Sequence, residues 1–249
     1  MLKTVIITGG TKGIGADIAR GFLNDSWHVI IAARNESGFA EENNENLKFQ
    51  QMDVRIESDH QALVKIAFDW SGSLDCYINC AGFSQWMPVK NVDEHFWDQM
   101  IDINLKGTFW GCKVAAEHLS SEGSIVNISS LAGKRGSANN ALYCATKFGV
   151  NGITQALAKE LGPKSIRVNA VCPVYVETPG LMQALENPNA PPKGQDTAKY
   201  LKEFGESNAA LERIPRGSEI ADLCLYLASS KASAITGQCI NVDCGVLPQ

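Results

Sequence analysis

Thr8-Gly9-Gly10-Thr11-Lys12-Gly13-Ile14-Gly15 is the stretch on which the reading of this chain turns. It follows Thr4-Val5-Ile6-Ile7, a β-branched run that reads as a strand. It leads into residues 14–24, where Ile14, Ile18, Phe22 and Leu23 share one helical face. A strand, a glycine-rich turn and a helix in succession bring backbone N–H groups to the positive end of a helix, where a dinucleotide's pyrophosphate binds. Gly9, Gly13 and Gly15 permit the close backbone approach, and Thr11, Lys12 and Ile14 complete the expected contact surface.

Outward from this turn the alternation continues. Strand-like runs recur at 4–8, 29–32, 47–52, 74–79, 124–129, 167–172 and 239–242, with amphipathic segments between them. In 141–161, Tyr143, Lys147, Val150, Ile153, Thr154 and Leu157 fall on one face. Strand, helix, strand, repeated, predicts a parallel sheet with helices on both sides: an α/β fold of three layers, doubly wound and Rossmann-type. A chain of 249 residues that is 45% apolar is long enough for one full core, so a single domain over 1–249 is expected. One region departs from the alternation. Residues 178–192 carry Pro179, Pro188, Pro191 and Pro192 and run into a polar stretch to Arg213. So many prolines read as excluding a regular helix or central strand, which predicts an irregular excursion or substrate lid at about 178–213.

Composition excludes several classes of function. A net charge of −5 without a Lys/Arg run argues against a nucleic-acid surface. No apolar stretch approaches the roughly 20 residues needed to cross a bilayer, and the N-terminus has no signal-peptide pattern, so a soluble, cytoplasmic protein is expected. The eight cysteines include no Cys-x-x-Cys pair and no zinc-type spacing with His. They read as free thiols, with Cys76, Cys112, Cys172 and Cys224 as small buried hydrophobes and no metal site.

The end of the second strand decides between nicotinamide cofactors. A carboxylate there bonds the ribose 2′-hydroxyl of NAD; here the strand ends Ala32-Ala33-Arg34-Asn35, with no acid. Arg34 and Lys12 together would offer a 2′-phosphate two cations, which points to NADP(H). Asp53, followed by Val54 at the end of the third strand, reads either as an acceptor for the adenine amino group or as a turn cap.

Tyr143 and Lys147 are four apart on a strongly helical segment, so their side chains project together. A phenol has an unperturbed pKa of about 10, and an adjacent ammonium is expected to draw it toward the working range. Tyr143 would then protonate a carbonyl oxygen, or deprotonate an alcohol in reverse.

With those residues in view, the chain resembles the one-domain branch of the short-chain dehydrogenase/reductase family over nearly its whole length. The resemblance rests on the turn 8–15, Asn79-Cys80-Ala81-Gly82, Asn104, Ser129-Ser130 and Tyr143-x-x-x-Lys147. It implies a catalytic tetrad of Asn104, Ser130, Tyr143 and Lys147. In it, Ser130 would hold the substrate oxygen, Lys147 would bind the nicotinamide ribose and Asn104, within a helix, would anchor a water relay to Lys147. The expected cofactor-binding set adds Asn35, Asn79, Ala81, Gly82, Pro173, Val176 and Thr178 to the residues already named, Tyr143 and Lys147 among them. The chain departs from the family pattern at Cys80, Val174 and Cys244. Of these, Val174 with Tyr175 should narrow the nicotinamide site.

Three functions remain in view: reduction or oxidation at a ketone or secondary alcohol, a non-catalytic NADP(H) sensor, and another reaction on the same scaffold such as epimerisation or enoyl reduction. Relatives performing the last group differ in glycine spacing or in the Tyr-to-Lys interval. Phe83, Trp86, Tyr175, Leu181 and Met182 read either as the wall for an apolar or ring-shaped substrate or as packing between lid and body. The C-terminal stretch is similar to bacterial 3-oxoacyl-carrier-protein reductases. Phe96, Trp97, Phe109, Trp110 and Phe148 lie on the segments through which the family forms tetramers, so a homotetramer or dimer is expected.

Overall fold

The β-branched runs are strands, each parallel to its neighbours. In the computed structural model, which describes residues 2–36, 39 and 44–248, the strands are β1 (Thr4–Thr8), β2 (His28–Ala33), β3 (Leu47–Gln51), β4 (Cys76–Asn79), β5 (Ser124–Ile128), β6 (Arg167–Pro173) and β7 (Cys239–Val242). They form one seven-stranded sheet in the order β3-β2-β1-β4-β5-β6-β7. The order reverses between β1 and β4, and the crevice at such a switch point is where open α/β sheets bind ligands.

The helices are α1 (Gly13–Asn24), α2 (Glu57–Ser71), α3 (Glu94–Ile101), α4 (Gly107–His118), α5 (Ala141–Leu161), α6 (Pro179–Leu185), α7 (Thr197–Asn208) and α8 (Gly217–Ala228). Because successive strand residues face opposite sides of the sheet, Val5, Ile7, Val29 and Ile31 pack with Ile18 and Phe22 of α1 and Ile220 and Cys224 of α8. Ile6, Ile30, Ile125 and Val168 pack on the other side, with Leu63 of α2, Cys112 of α4 and Leu161 of α5. Burial on both faces is why these strands read as continuous apolar runs. Two cores on one sheet make a single three-layered domain, and all eight cysteines are unpaired thiols. Among the described residues no helix is long and apolar enough to cross a membrane.

Two sequence expectations need correction. Residues 178–192 are not barred from helix: Pro179 occupies the first turn of α6, where a missing N–H costs nothing, and Thr178 caps it by accepting from the Leu181 N–H at 3.2 Å. Further on, Asp196 caps α7, accepting from Lys199 N at 2.7 Å. The excursion is therefore largely helical, and it is anchored by Leu185, Ala190 and Leu201 around Trp86. Asn104, expected within one helix, lies instead in a π-helical segment (Asp102–Lys106) that joins α3 to α4.

Candidate active site

The turn after β1 is shaped by glycines at two positions that no other residue fills. Gly9 has φ +71°, and a Cβ there would stand 2.8 Å from Ala81 Cα; a Cβ on Gly15 would collide with the Gly9 carbonyl oxygen. Thr8 Oγ1 accepts from the N–H groups of Cys80 (3.2 Å) and Ala81 (3.3 Å), tying the ends of β1 and β4 together. Lys12, at the N-cap of α1, makes no side-chain capping bond, and the first turn of α1 holds no acid. The helix thus presents its N-terminal N–H groups, with their partial positive charge, to the cleft. This cradle fits a pyrophosphate.

Along the cleft toward β2 and β3 the surface turns cationic. Lys12 and Arg34 are both exposed and both line it. The register pairs Ala33 with Gln51, so Arg34 and Asp53 lie across one strand gap, and Gln51 Nε2 donates to the Arg34 carbonyl at 2.9 Å. Asp53 is gripped by Arg55: Nε donates to Oδ1 and Oδ2 at 3.0 Å, Nη2 to Oδ2 at 2.5 Å and the Arg55 N–H to Oδ1 at 3.0 Å. That pairing holds the Asp53 carboxyl below its ordinary range. No acid stands at the end of β2, so the residues present fit a 2′-phosphorylated ribose better than a free 2′-hydroxyl.

At the other end of the cleft Tyr143 and Ser130 line the wall together, and the Ser130 hydroxyl is near enough to the phenol to oppose in part the rise that burial gives its pKa. Ser130 has extended backbone and caps the short turn Leu131–Gly133, accepting from Ala132 N at 3.1 Å. Ser129 is buried and donates to the Lys147 carbonyl at 3.3 Å, so it is the serine that ties strand to helix. Lys147 Nζ, 5.7 Å from the Tyr143 ring centroid, donates to Ile128 O at 2.8 Å. Burial dominates both side chains: it pushes Tyr143 up to about 12 and draws Lys147 down to about 8. The phenol was expected to be drawn below its ordinary pKa and is instead raised, because desolvation of the phenolate outweighs the lowering by the Ser130 hydroxyl.

Most of the residues singled out from the sequence meet in this one cleft. Gly9, Thr11, Lys12, Gly13, Ile14, Gly15, Arg34, Asp53, Val54, Ala81, Gly82, Ser130, Tyr143, Lys147, Val176 and Thr178 all line it. Asn35, Asn79, Pro173 and Asn104 do not. Asn79 is turned beneath the sheet end, donating to Asn127 Oδ1 at 2.9 Å. Asn104 is wholly buried behind Gly82, where its carboxamide exchanges bonds with the Phe83 backbone (N to Oδ1 2.9 Å, Nδ2 to O 2.8 Å). Phe83, Trp86, Tyr175 and Leu181 line the cleft, whereas Met182 packs within the lid. Sequence reasoning missed Arg55, Gln99, Arg135, Asn140 and Phe204. Arg55 had a local signal, two residues after Asp53. Gln99 and Phe204 had none, since α3 and α7 reach the cleft only by tertiary packing.

Comparison with known proteins agrees with this geometry. Residues 9–247 match the family model described as Enoyl-(Acyl carrier protein) reductase. The chain is 32% identical over 256 residues to the 3-oxoacyl-(acyl-carrier-protein) reductase of Chlamydia muridarum, covering 98% of this chain and 97% of that one. It is 34% identical over 256 residues to the trans-4-hydroxycyclohexanecarboxylate dehydrogenase of Sinomonas cyclohexanicum, covering 98% and 92%. A solved actinorhodin polyketide ketoreductase with NADPH superposes with a TM-score of 0.90 at 32% identity, over 98% of this chain and 97% of that one. Sheet order, glycine turn and relatives of matching length together show that the chain is an oxidoreductase of the short-chain dehydrogenase/reductase family.

Proposed function

We propose that the protein interconverts a ketone and a secondary alcohol with NADP(H), using Tyr143 as the proton donor and acceptor. The observation that carries this reading is the Tyr143–Ser130 hydroxyl pair, one helical turn from Lys147, at the end of the cleft opposite Lys12 and Arg34. When bound there, NADPH supplies the hydride to the carbonyl carbon. The two hydroxyls hold the carbonyl oxygen from one side. With its pKa near 12, Tyr143 stays protonated at neutral pH and donates its proton to that oxygen as charge develops. Lys147, still an ammonium at neutral pH, stabilises the phenolate that remains. Asn104 positions the backbone of Phe83, and with it Gly82, against Lys147: a Cβ on Gly82 would lie 3.1 Å from Asn104 Oδ1 and 3.9 Å from Lys147 Nζ.

The substrate compartment has walls of Phe83, Trp86, Tyr175 and Phe204, with Arg135, Asn140 and Gln183 among them. This mixture favours a ring-shaped or extended ketone bearing a polar group over a purely apolar one. The excursion over 178–213 covers it as a lid. Tyr143→Phe keeps the ring and removes the proton donor, so turnover falls by about 10²- to 10⁴-fold while NADPH affinity is retained. The measurement is NADPH oxidation with a panel of ketones and an enoyl thioester, beside an NADPH titration. Wild-type turnover in Tyr143→Phe would overturn the catalytic assignment, and binding without turnover of any substrate would favour a cofactor-sensing role.

A further inference from the structure

Among the described residues, three cations and one carboxylate line the adenosine end of the cleft: Lys12, Arg34, Arg55 and Asp53. The carboxylate is out of place for a dianionic ligand. It stands one strand gap from Arg34, near enough that the two interact electrostatically, and its proximity to Arg34 helps keep it ionised at working pH. A 2′-phosphate drawn to Arg34 would meet that negative charge in a half-open site where screening by salt is incomplete.

The geometry points to Arg55 as the residue that neutralises Asp53 and so lets this end of the cleft accept a 2′-phosphate, a positioning residue for cofactor choice that acts through Asp53 rather than on the phosphate. Arg55 grips both carboxylate oxygens through Nε and Nη2, and its own backbone N–H adds a third donor. The four bonds fall two on each carboxylate oxygen, so the pair turns a largely neutralised Asp53 toward the adenosine moiety that both cofactors share. The side chain of Arg55 is 43% exposed and that of Asp53 21%, so the pair sits at the cleft wall rather than in the core and can be altered without opening a cavity. This assignment rests on the NADP(H) reading above.

The test is direct binding to the full-length protein, with dissociation constants for NADPH and NADH taken from fluorescence titration. In Arg55→Ala the bared carboxylate lowers the preference for NADPH about three- to tenfold, while NADH affinity, the control for folding, changes by about twofold or less. Arg55→Lys keeps a charge beside Asp53 and retains most of the preference. Adding Asp53→Asn to Arg55→Ala removes the exposed charge and brings the preference back. An unchanged ratio in Arg55→Ala overturns the inference. So does a loss that Asp53→Asn does not recover, since Arg55 would then be touching the phosphate itself. Should the wild type bind NADH more tightly than NADPH, the cofactor reading falls first and this inference with it, an outcome visible before any variant is made.

Discussion

Lys147 shows how far a residue's chemistry departs from its sequence context. The i, i+4 spacing placed it beside Tyr143, but the value of its pKa comes from burial, which brings the ammonium to about 8 while the phenol rises to about 12. The sign of the pH dependence follows. On the mechanism proposed above, Lys147 holds its proton below about pH 8 and stabilises the phenolate formed on proton donation; above it the charge is lost, while Tyr143 is still protonated. The kcat/KM for ketone reduction should therefore be level near neutrality and fall by about tenfold per pH unit on the alkaline side of Lys147's pKa, well before Tyr143 ionises. A profile flat to about pH 10 would remove Lys147 from this role. The residues that bear on the reaction were legible because each sits at a strand end or one turn from another, positions that local pattern fixes. Asn79 points away from the cleft because a side chain's direction at a strand end depends on what packs behind it, and Asn104 sits behind Gly82 because the π-helical segment turns it onto the Phe83 backbone.

Among the elements, α4 depends on a close approach that only the assembled sheet reveals. A Cβ on Gly111 would collide with Asn79 Oδ1 and lie 3.0 Å from Tyr77 Cε1, so the helix backbone rests almost directly on β4. Gly111→Ala should force α4 outward and cost about 1–3 kcal/mol, seen as a lower urea midpoint with an unchanged slope. An unaltered midpoint would show that Asn79 can swing aside, breaking its bond to Asn127 at little cost. Strands were the easiest elements to read: β1 and β7 have the expected limits, and the others differ by a residue or two at their ends. Helix α6 was missed because Pro179 was read as a breaker, whereas Thr178 before it makes the pair a helix start. The π-helical segment at Asp102–Lys106 leaves no mark in hydrophobic spacing, since one extra residue per turn shifts the pattern no more than ordinary scatter does.

At the scale of the whole molecule, the aromatics on α3, α4 and α5 divide by burial. Phe96 is an internal residue, 8% exposed, packed with Met100 and Leu142. Trp97, Phe109 and Phe148 are 52%, 44% and 49% exposed, and Trp110 stacks edge-on against Phe109 with ring centroids 5.5 Å apart. Large exposed aromatics on neighbouring helices are what an interface between copies buries. Sedimentation at micromolar concentration should give a dimer or tetramer, and Phe109→Asp with Phe148→Asp should shift it toward monomer. A wild-type chain that sediments only as monomer would refute the assembly.

Sequence alone determined the strands and their parallel direction, the doubly wound layers, the glycine turn and the Tyr143–Lys147 pair. All of these are set by periodicity, β-branching and backbone sterics, which act over a few residues. Tertiary structure decided what depends on distance across the fold: that Ser130 and not Ser129 meets Tyr143, that burial and not charge governs the pKa values of Tyr143 and Lys147, and that Arg55 holds Asp53. Desolvation and side-chain direction arise only when separate elements close over one another, and no spacing along the chain encodes them.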